Sequence, residues 1–219
     1  MFRRRLPILV VSLVLLGLGG LAVYSADEAK EAKKMTDAER EQFIKDFHRT
    51  GLNTTLGDAM MLRILVEGAR CKRGVEVGSA TGFGAINMGV GFERNGGHLW
   101  TIDIDAGMVK ATRENVAKMG LEKTVTVVEG DALKVLAGLE GEYDFIFIDA
   151  LKSDYGKYLK LMLPKMKPGA IVVADNVIRS ANQMKDFLEM VQNSPDWDTV
   201  IIQASQEKKD GMSISYKIR

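Results

Sequence analysis

Polar residues follow five successive apolar runs of this 219-residue chain, at positions from which side chains can do chemistry. Glu76 comes first, with Gly78, Gly82 and Gly84; then Asp103; Asp131 after Glu129-Gly130; Asp149 with Lys152; and Asp175-Asn176. One acid at such a place is commonplace as a helix cap or turn residue. Five in succession point to a shared site, because ligands of open parallel sheets bind outside the carboxyl ends of the strands. Asp149, Asp175 and Asn176 offer only oxygen, with no His or Cys among them. Such a set suits Mg²⁺ or Ca²⁺, with water or substrate completing the shell, and not zinc. The plainer alternative is an Asx-turn at each strand end. Asp103 lies 25 residues after Gly78, near where an acid accepts hydrogen bonds from ribose hydroxyls, whereas Asp105 reads more simply as a helix cap. The stretch GVEVGSATGFG at 74–84 has glycines where backbone must approach a ligand, but its GxxxGxG spacing departs from the GxGxxG of dinucleotide sites.

Holding these residues together requires alternating strands and helices, the pattern of a parallel sheet. Strands are expected at Val75–Val77, Leu99–Ile104, Val125–Glu129, Phe145–Asp149 and Ala170–Asp175, and helices at Phe83–Glu93, Ala106–Met119, Ala132–Leu139, Tyr155–Met166 and Asn182–Val191. The run FIFI at 145–148 is apolar on both faces, as befits a central strand covered on both sides. Trp197–Gln203 and Met212–Ile218, joined through Asp210-Gly211, form an expected antiparallel pair at the sheet edge. Upstream, Thr36 and Glu39 make a capping box for a helix with Phe43, Ile44 and Phe47 on one stripe, ending by Gly51. A second helix at Leu56–Val66 should turn Leu56, Met60, Ile64 and Leu65 inward. His48 is given no role.

With 46% hydrophobic residues and a net charge of +1, the chain suits one α/β domain plus an appendage and has no general attraction to nucleic acid. The single cysteine, Cys71, excludes an intrachain disulfide and reads as a small packing residue. Arg3, Arg4 and Arg5 precede 19 uncharged residues from Leu6 to Tyr24, enough for a membrane anchor, while the small residues ending this run also fit a cleavable signal. The arginines would stay cytoplasmic and place the remainder across the membrane. The expected organisation is therefore an anchor or signal peptide at 1–26, a charged linker and helix at 27–51, and one folded domain at 52–219. The helix near Phe43 or an exposed sheet edge could support a homodimer.

The constellation resembles the cation-dependent class I O-methyltransferases, the family of catechol and caffeoyl-CoA O-methyltransferases. The resemblance runs from Leu52 to the C-terminus on LGDA at 56–59, VEVGSATGFG, TIDID, EGDAL, FIFIDALKSDY, PGAIVVADNVI and DGMSISYKIR. It implies a Rossmann-like, mostly parallel seven-stranded sheet. It also implies S-adenosylmethionine held around Leu56, Glu76, Gly78, Gly82, Gly84, Asp103, Asp131 and Asp149, with Mg²⁺ or another divalent ion such as Ca²⁺ on Asp149, Asp175 and Asn176. Lys152 matches the family's catalytic lysine, and the implied reaction methylates one hydroxyl of a small vicinal dihydroxy-aromatic acceptor. Several positions depart from the family: Gly84 stands where relatives often carry a hydroxyl, Ala80 where some have an aromatic ring, Val177-Ile178-Arg179 lacks a pocket-walling proline, and Ala204 falls about where an acceptor-gripping acid would be. Two other readings share the pattern. One is a membrane-anchored S-adenosylmethionine-binding protein without catalysis, motivated by the expected location outside the cytosol. The other is a nicotinamide-dependent dehydrogenase, against which the glycine spacing and the Asp-Asn pair both count.

Overall fold

The computed structural model describes residues 35–219. The expected anchor or signal at 1–26 and the linker up to residue 34 lie outside them. Among the described residues no helix is long and apolar enough to cross a membrane.

Thr36 accepts the Glu39 N–H while Glu39 reaches back to the Thr36 N–H, and this reciprocal cap starts α1 (Asp37–Lys45). Thr55 caps α2 (Leu56–Gly68). There follow β1 (Arg73–Val77), α3 (Phe83–Asn95), β2 (His98–Asp103), α4 (Ala106–Lys118), β3 (Val125–Glu129), α5 (Ala132–Gly138) and β4 (Tyr143–Ile148). The chain continues through α6 (Tyr155–Met162), β5 (Met166–Ala174), α7 (Lys185–Gln192), β6 (Trp197–Ile202) and β7 (Met212–Lys217). One sheet runs in the order β3-β2-β1-β4-β5-β7-β6. Its first five strands are parallel, and β7 is antiparallel to both β5 and β6. This is the expected Rossmann-like sheet with an antiparallel pair at one edge.

Alternation along the strands divides the core in two. Phe145 and Phe147 of β4 face the side covered by α2 and α3, with Leu62, Ile86 and Phe92. Ile146 and Ile148 face the other side, with Tyr155, Leu159 and Phe187. All six residues of β4 are buried, which explains why FIFI has no polar face. Phe43 and Phe47 pack on the first of these clusters, Phe47 with its ring centroid 5.0 Å from that of Phe83. The apolar stripe of α1 is thus covered within the chain.

Several expected features differ. In α2 the buried residues are Asp58, Ala59, Leu62, Arg63 and Val66, whereas Leu56 and Ile64 are 39% and 59% exposed and Met60 and Leu65 are half-buried. Two charged residues take inward positions because each finds partners there: Arg63 pairs with Glu41 and Asn87, and Asp58 with Thr55 and Lys208. The first helix stops at Lys45 rather than near Gly51. A 3-10 turn carrying Pro164 ends the sixth helical segment early, and β5 begins at Met166, four residues before the expected start. Ala181–Gln183 is a separate 3-10 turn ahead of α7. Cys71 is buried as expected, its thiol pushed up to about 12 by burial and by the charge of Asp144.

Candidate functional site

The strand order reverses between β1 and β4, so the crevice of an open sheet falls there. Val77 stands level with Ile102 and Ile148, and Ile148 with Ala174, so β1, β2, β4 and β5 end together. The ladder runs one residue further, through Gly78 N–H to Ile102 O (2.9 Å), Asp149 N–H to Val77 O (2.8 Å) and Asp175 N–H to Ile148 O (3.0 Å). Gly78 turns the chain with φ +94°, and a Cβ there would collide with the Asp149 carbonyl. Only glycine combines that conformation with so close an approach.

Above these ends opens a cavity of about 830 Å³, the size of small-molecule sites. Gly78, Asp103, Asp131, Asp149, Lys152, Asp175 and Asn176 all line it. The carboxylate of Asp103 accepts from the N–H groups of Ser79 and Ala80, both 3.0 Å, and of Asp105, 3.0 Å, while Asp105 itself caps α4. Asp131 caps α5 through Leu133 N–H. Lys152 Nζ donates to Asp149 Oδ1 at 2.7 Å and to Tyr155 Oη at 2.9 Å, and Tyr155 in turn donates to the Asp175 carbonyl at 3.3 Å. Burial, then the charges of Asp149 and Asp175, hold the Tyr155 phenol well above its ordinary range. Asn176 adopts φ +60°, a conformation Asn tolerates better than most residues.

Leu56, Glu76, Gly82 and Gly84 do not line the cavity. Leu56 faces a separate groove between α1, α2 and the segment 204–207. Gly82, at φ +90°, stands at the start of α3 beside Thr112. Glu76 is 1% exposed and accepts from Thr101 Oγ1 at 2.5 Å; Gly84 leaves the space its carboxylate fills, so a larger residue at 84 would meet Glu76. Burial raises the Glu76 carboxyl to about 8, against the opposing hydrogen bond from Thr101. Glu76 and Gly84 thus pack against each other off the cavity.

Sequence reasoning missed Asn53, Met108, Tyr158 and Lys208, which also line the cavity. Asn53 arrives from the loop before α2, where its Oδ1 accepts from Thr50 and Thr81 and its buried Nδ2 has no partner among the described residues. Lys208 comes from the β6–β7 connection, in which only a turn was legible. It lies 2.6 Å from both carboxylate oxygens of Asp175 and 3.0 Å from Asp58. Burial and the charge of Asp149 push Asp175 up to about 6, with Lys208 pulling it back.

A divalent ion and a nucleotide-type cofactor are the groups this site must be tested against. The oxygen donors of Asp149, Asp175 and Asn176 sit at adjacent strand ends on one cavity and suit a hard ion by type. Two carboxylates and an amide are all they supply: among the described residues no three His, Cys, Asp or Glu side chains gather to hold a metal. The acidic lining suits a cationic cofactor, and the unpartnered Asn53 Nδ2 donor suits an acceptor atom on it.

Fold and site together define a Rossmann-like α/β protein with a ligand-sized cavity at its switch point. Residues 24–207 match the O-methyltransferase family profile, and the chain belongs to that family. It is 32% identical over 123 residues to the O-methyltransferase ankF of Aspergillus thermomutatus, covering 55% of this chain and 52% of that one. It is also 32% identical over 129 residues to a catechol O-methyltransferase of Niastella koreensis, covering 57% and 58%. The matched stretch thus spans little more than half the length of these curated relatives. Among solved structures, the O-methyltransferase TomG of Streptomyces achromogenes, in complex with SAM, superposes with a TM-score of 0.72 at 23% identity, over 83% of this chain and 89% of that one. An O-methyltransferase of Bacillus cereus in complex with SAH gives 0.72 at 22%, over 82% and 89%. These two likenesses show the fold.

Proposed function

We propose that residues 52–219 form an S-adenosylmethionine-dependent O-methyltransferase domain acting on a small vicinal dihydroxy-aromatic acceptor with help from a divalent cation, Mg²⁺ by donor type. The observation that carries this reading is the 2.7 Å contact of Lys152 with Asp149 in a cavity that also gathers Asp103, Asp175 and Asn176. When bound, S-adenosylmethionine supplies a methyl group activated on a sulfonium, and the cation, on Asp149, Asp175 and Asn176, supplies charge that favours a deprotonated acceptor hydroxyl.

Asp103 has three backbone donors on its carboxylate and lone-pair capacity left for a ribose hydroxyl. Gly78 lines the cavity at the β1 end, where its lack of a Cβ lets the backbone lie against the Asp149 carbonyl. Asp131, also on the cavity lining, is the residue this reading sets beside the adenine. Lys152 Nζ is the group placed to take the proton of the acceptor hydroxyl, with Asp149 Oδ1 and Tyr155 Oη within reach to hold the resulting ammonium. The oxygen so deprotonated would be the acceptor of that methyl group. Six acids line the cavity (Asp103, Asp105, Asp131, Asp149, Asp154 and Asp175) against Lys152 and Lys208, a balance that favours a cationic cofactor.

Calorimetric titration of S-adenosylmethionine with and without Mg²⁺, followed by mass detection of methylated catechols, tests the reading. Lys152→Ala and Asp149→Ala are expected to lose about 10²–10⁴-fold in turnover with the fold intact by circular dichroism. Full activity in Lys152→Ala would remove the lysine from the role of base. Absence of cofactor binding would overturn the reading as a whole.

A further inference from the structure

Lys208 lies outside every motif that carries the family resemblance, yet it reaches into the acidic end of the cavity. Its Nζ donates to both Asp175 oxygens at 2.6 Å and stands 3.0 Å from Asp58 Oδ2. The side chains of Asp58 and Asp175 are 2% and 3% exposed, that of Lys208 20%. Two carboxylates so deeply buried need a counter-charge, and Lys208 is the cation in contact with both. The segment that presents it is tied down on either side. Asp210 Oδ1 accepts from the N–H groups of Ile178, Arg179 and Gly211, and the Ala204 carbonyl packs where Gly57 lacks a Cβ.

A divalent ion on Asp175 would need oxygen at about 2.0–2.5 Å, and the ammonium already takes both oxygens of that carboxylate. Ion and ammonium would then repel one another across one carboxylate in a partly desolvated site. We propose that Lys208 is the chain's own counter-ion at this site and competes with the divalent cation for Asp175, so that cation uptake requires Lys208 to withdraw. The proposal rests on the reading of Asp149, Asp175 and Asn176 as cation ligands. The flexible four-carbon stem of lysine allows withdrawal without unfolding the segment, and Asp58 sets how firmly the ammonium is held.

The test is Mn²⁺ titration of the full chain, free ion read by electron paramagnetic resonance, with no acceptor present. Lys208→Gln keeps an NH₂ donor for the two carboxylates but removes the charge. It is expected to bind Mn²⁺ at least about tenfold more tightly than the wild type, a gain lost on adding Asp149→Asn. Lys217→Gln, the same charge change at the far end of β7, is expected to bind like the wild type. Equal affinity in the wild type and Lys208→Gln, or an equal gain in Lys217→Gln, overturns the competition while leaving the ligand reading standing. No Mn²⁺ binding by any variant overturns both. A second measurement uses the wild type alone: Mn²⁺ should raise acetylation of Lys208 by acetic anhydride several-fold in peptide mass spectra, and an unchanged yield overturns the proposal even if Lys208→Gln does not fold.

Discussion

Glu76 is a carboxyl with nowhere to put a charge: 1% exposed, one hydrogen bond from Thr101, and Asp149 and Asp103 near enough to repel it. Burial, the largest influence, raises it to about 8 from an ordinary 4.5. Between those values the folded chain keeps a proton that the unfolded chain has released, so this residue makes stability fall as pH rises through that window. Glu76→Gln, which mimics the neutral acid, is expected to flatten the decline. Thermal midpoints of wild type and variant from pH 5 to 8 check this, and parallel slopes would refute it. Glu76 was legible as a polar residue at a strand end. That it lies off the cavity was not, because a strand residue's face depends on what packs above it.

The connection between β6 and β7 is the element on which the site leans most and about which the sequence said least. Asp210 is 4% exposed and satisfies three backbone N–H groups. Burial pushes its pKa up, but the bonds from Arg179, Gly211 and Ile178 outweigh it and hold the carboxyl below its ordinary value. Asp210→Ala would orphan those donors at a cost on the order of 3 kcal/mol in urea unfolding, with Asp210→Asn costing less. The wild type, unlike Asp210→Asn, should also lose this contribution as pH falls below about 4, since a depressed carboxyl stabilises only while ionised. In α2 the apolar pattern put Leu56, Met60 and Ile64 inside, yet Ala59, Leu62 and Val66 are buried together with Asp58 and Arg63. Periodicity identifies a helix but not which charges find partners; Glu41, Asn87 and Lys208 come from other elements.

At the scale of the whole molecule the last strand is internal to the sheet. β7 pairs with β5 through Ala174–Ser213 to Ile171–Tyr216 and with β6 from Trp197–Lys217 to Ile202–Met212. Ending the chain at Gly211 would strip β5 of a neighbour, leave β6 unpaired and remove Ser213 and Ser215, both wholly buried. Such a truncation is expected to be insoluble or to lose cooperative unfolding by circular dichroism, whereas a mere edge extension would be dispensable. A soluble, cooperatively folding product would show that β7 adds little.

Local chemistry decided much from the sequence alone. Alternation of strand and helix and the doubly apolar FIFI defined the sheet, because hydrophobic period is a property of neighbouring residues; Asp210-Gly211, expected as the turn of the edge pair, forms none, and Asp210 accepts from the backbone N–H groups of residues 178, 179 and 211 instead. The strand ends announced Gly78, Asp103, Asp149, Lys152, Asp175 and Asn176, because the carboxyl ends of parallel strands must face one side. Only the tertiary structure decided that Leu56 and Glu76 stand off the cavity and that Lys208 enters it. Lys208 meets Asp175 across 33 residues and Asp58 across 150. Contacts of that range depend on how far one element is packed against another, which no local pattern encodes.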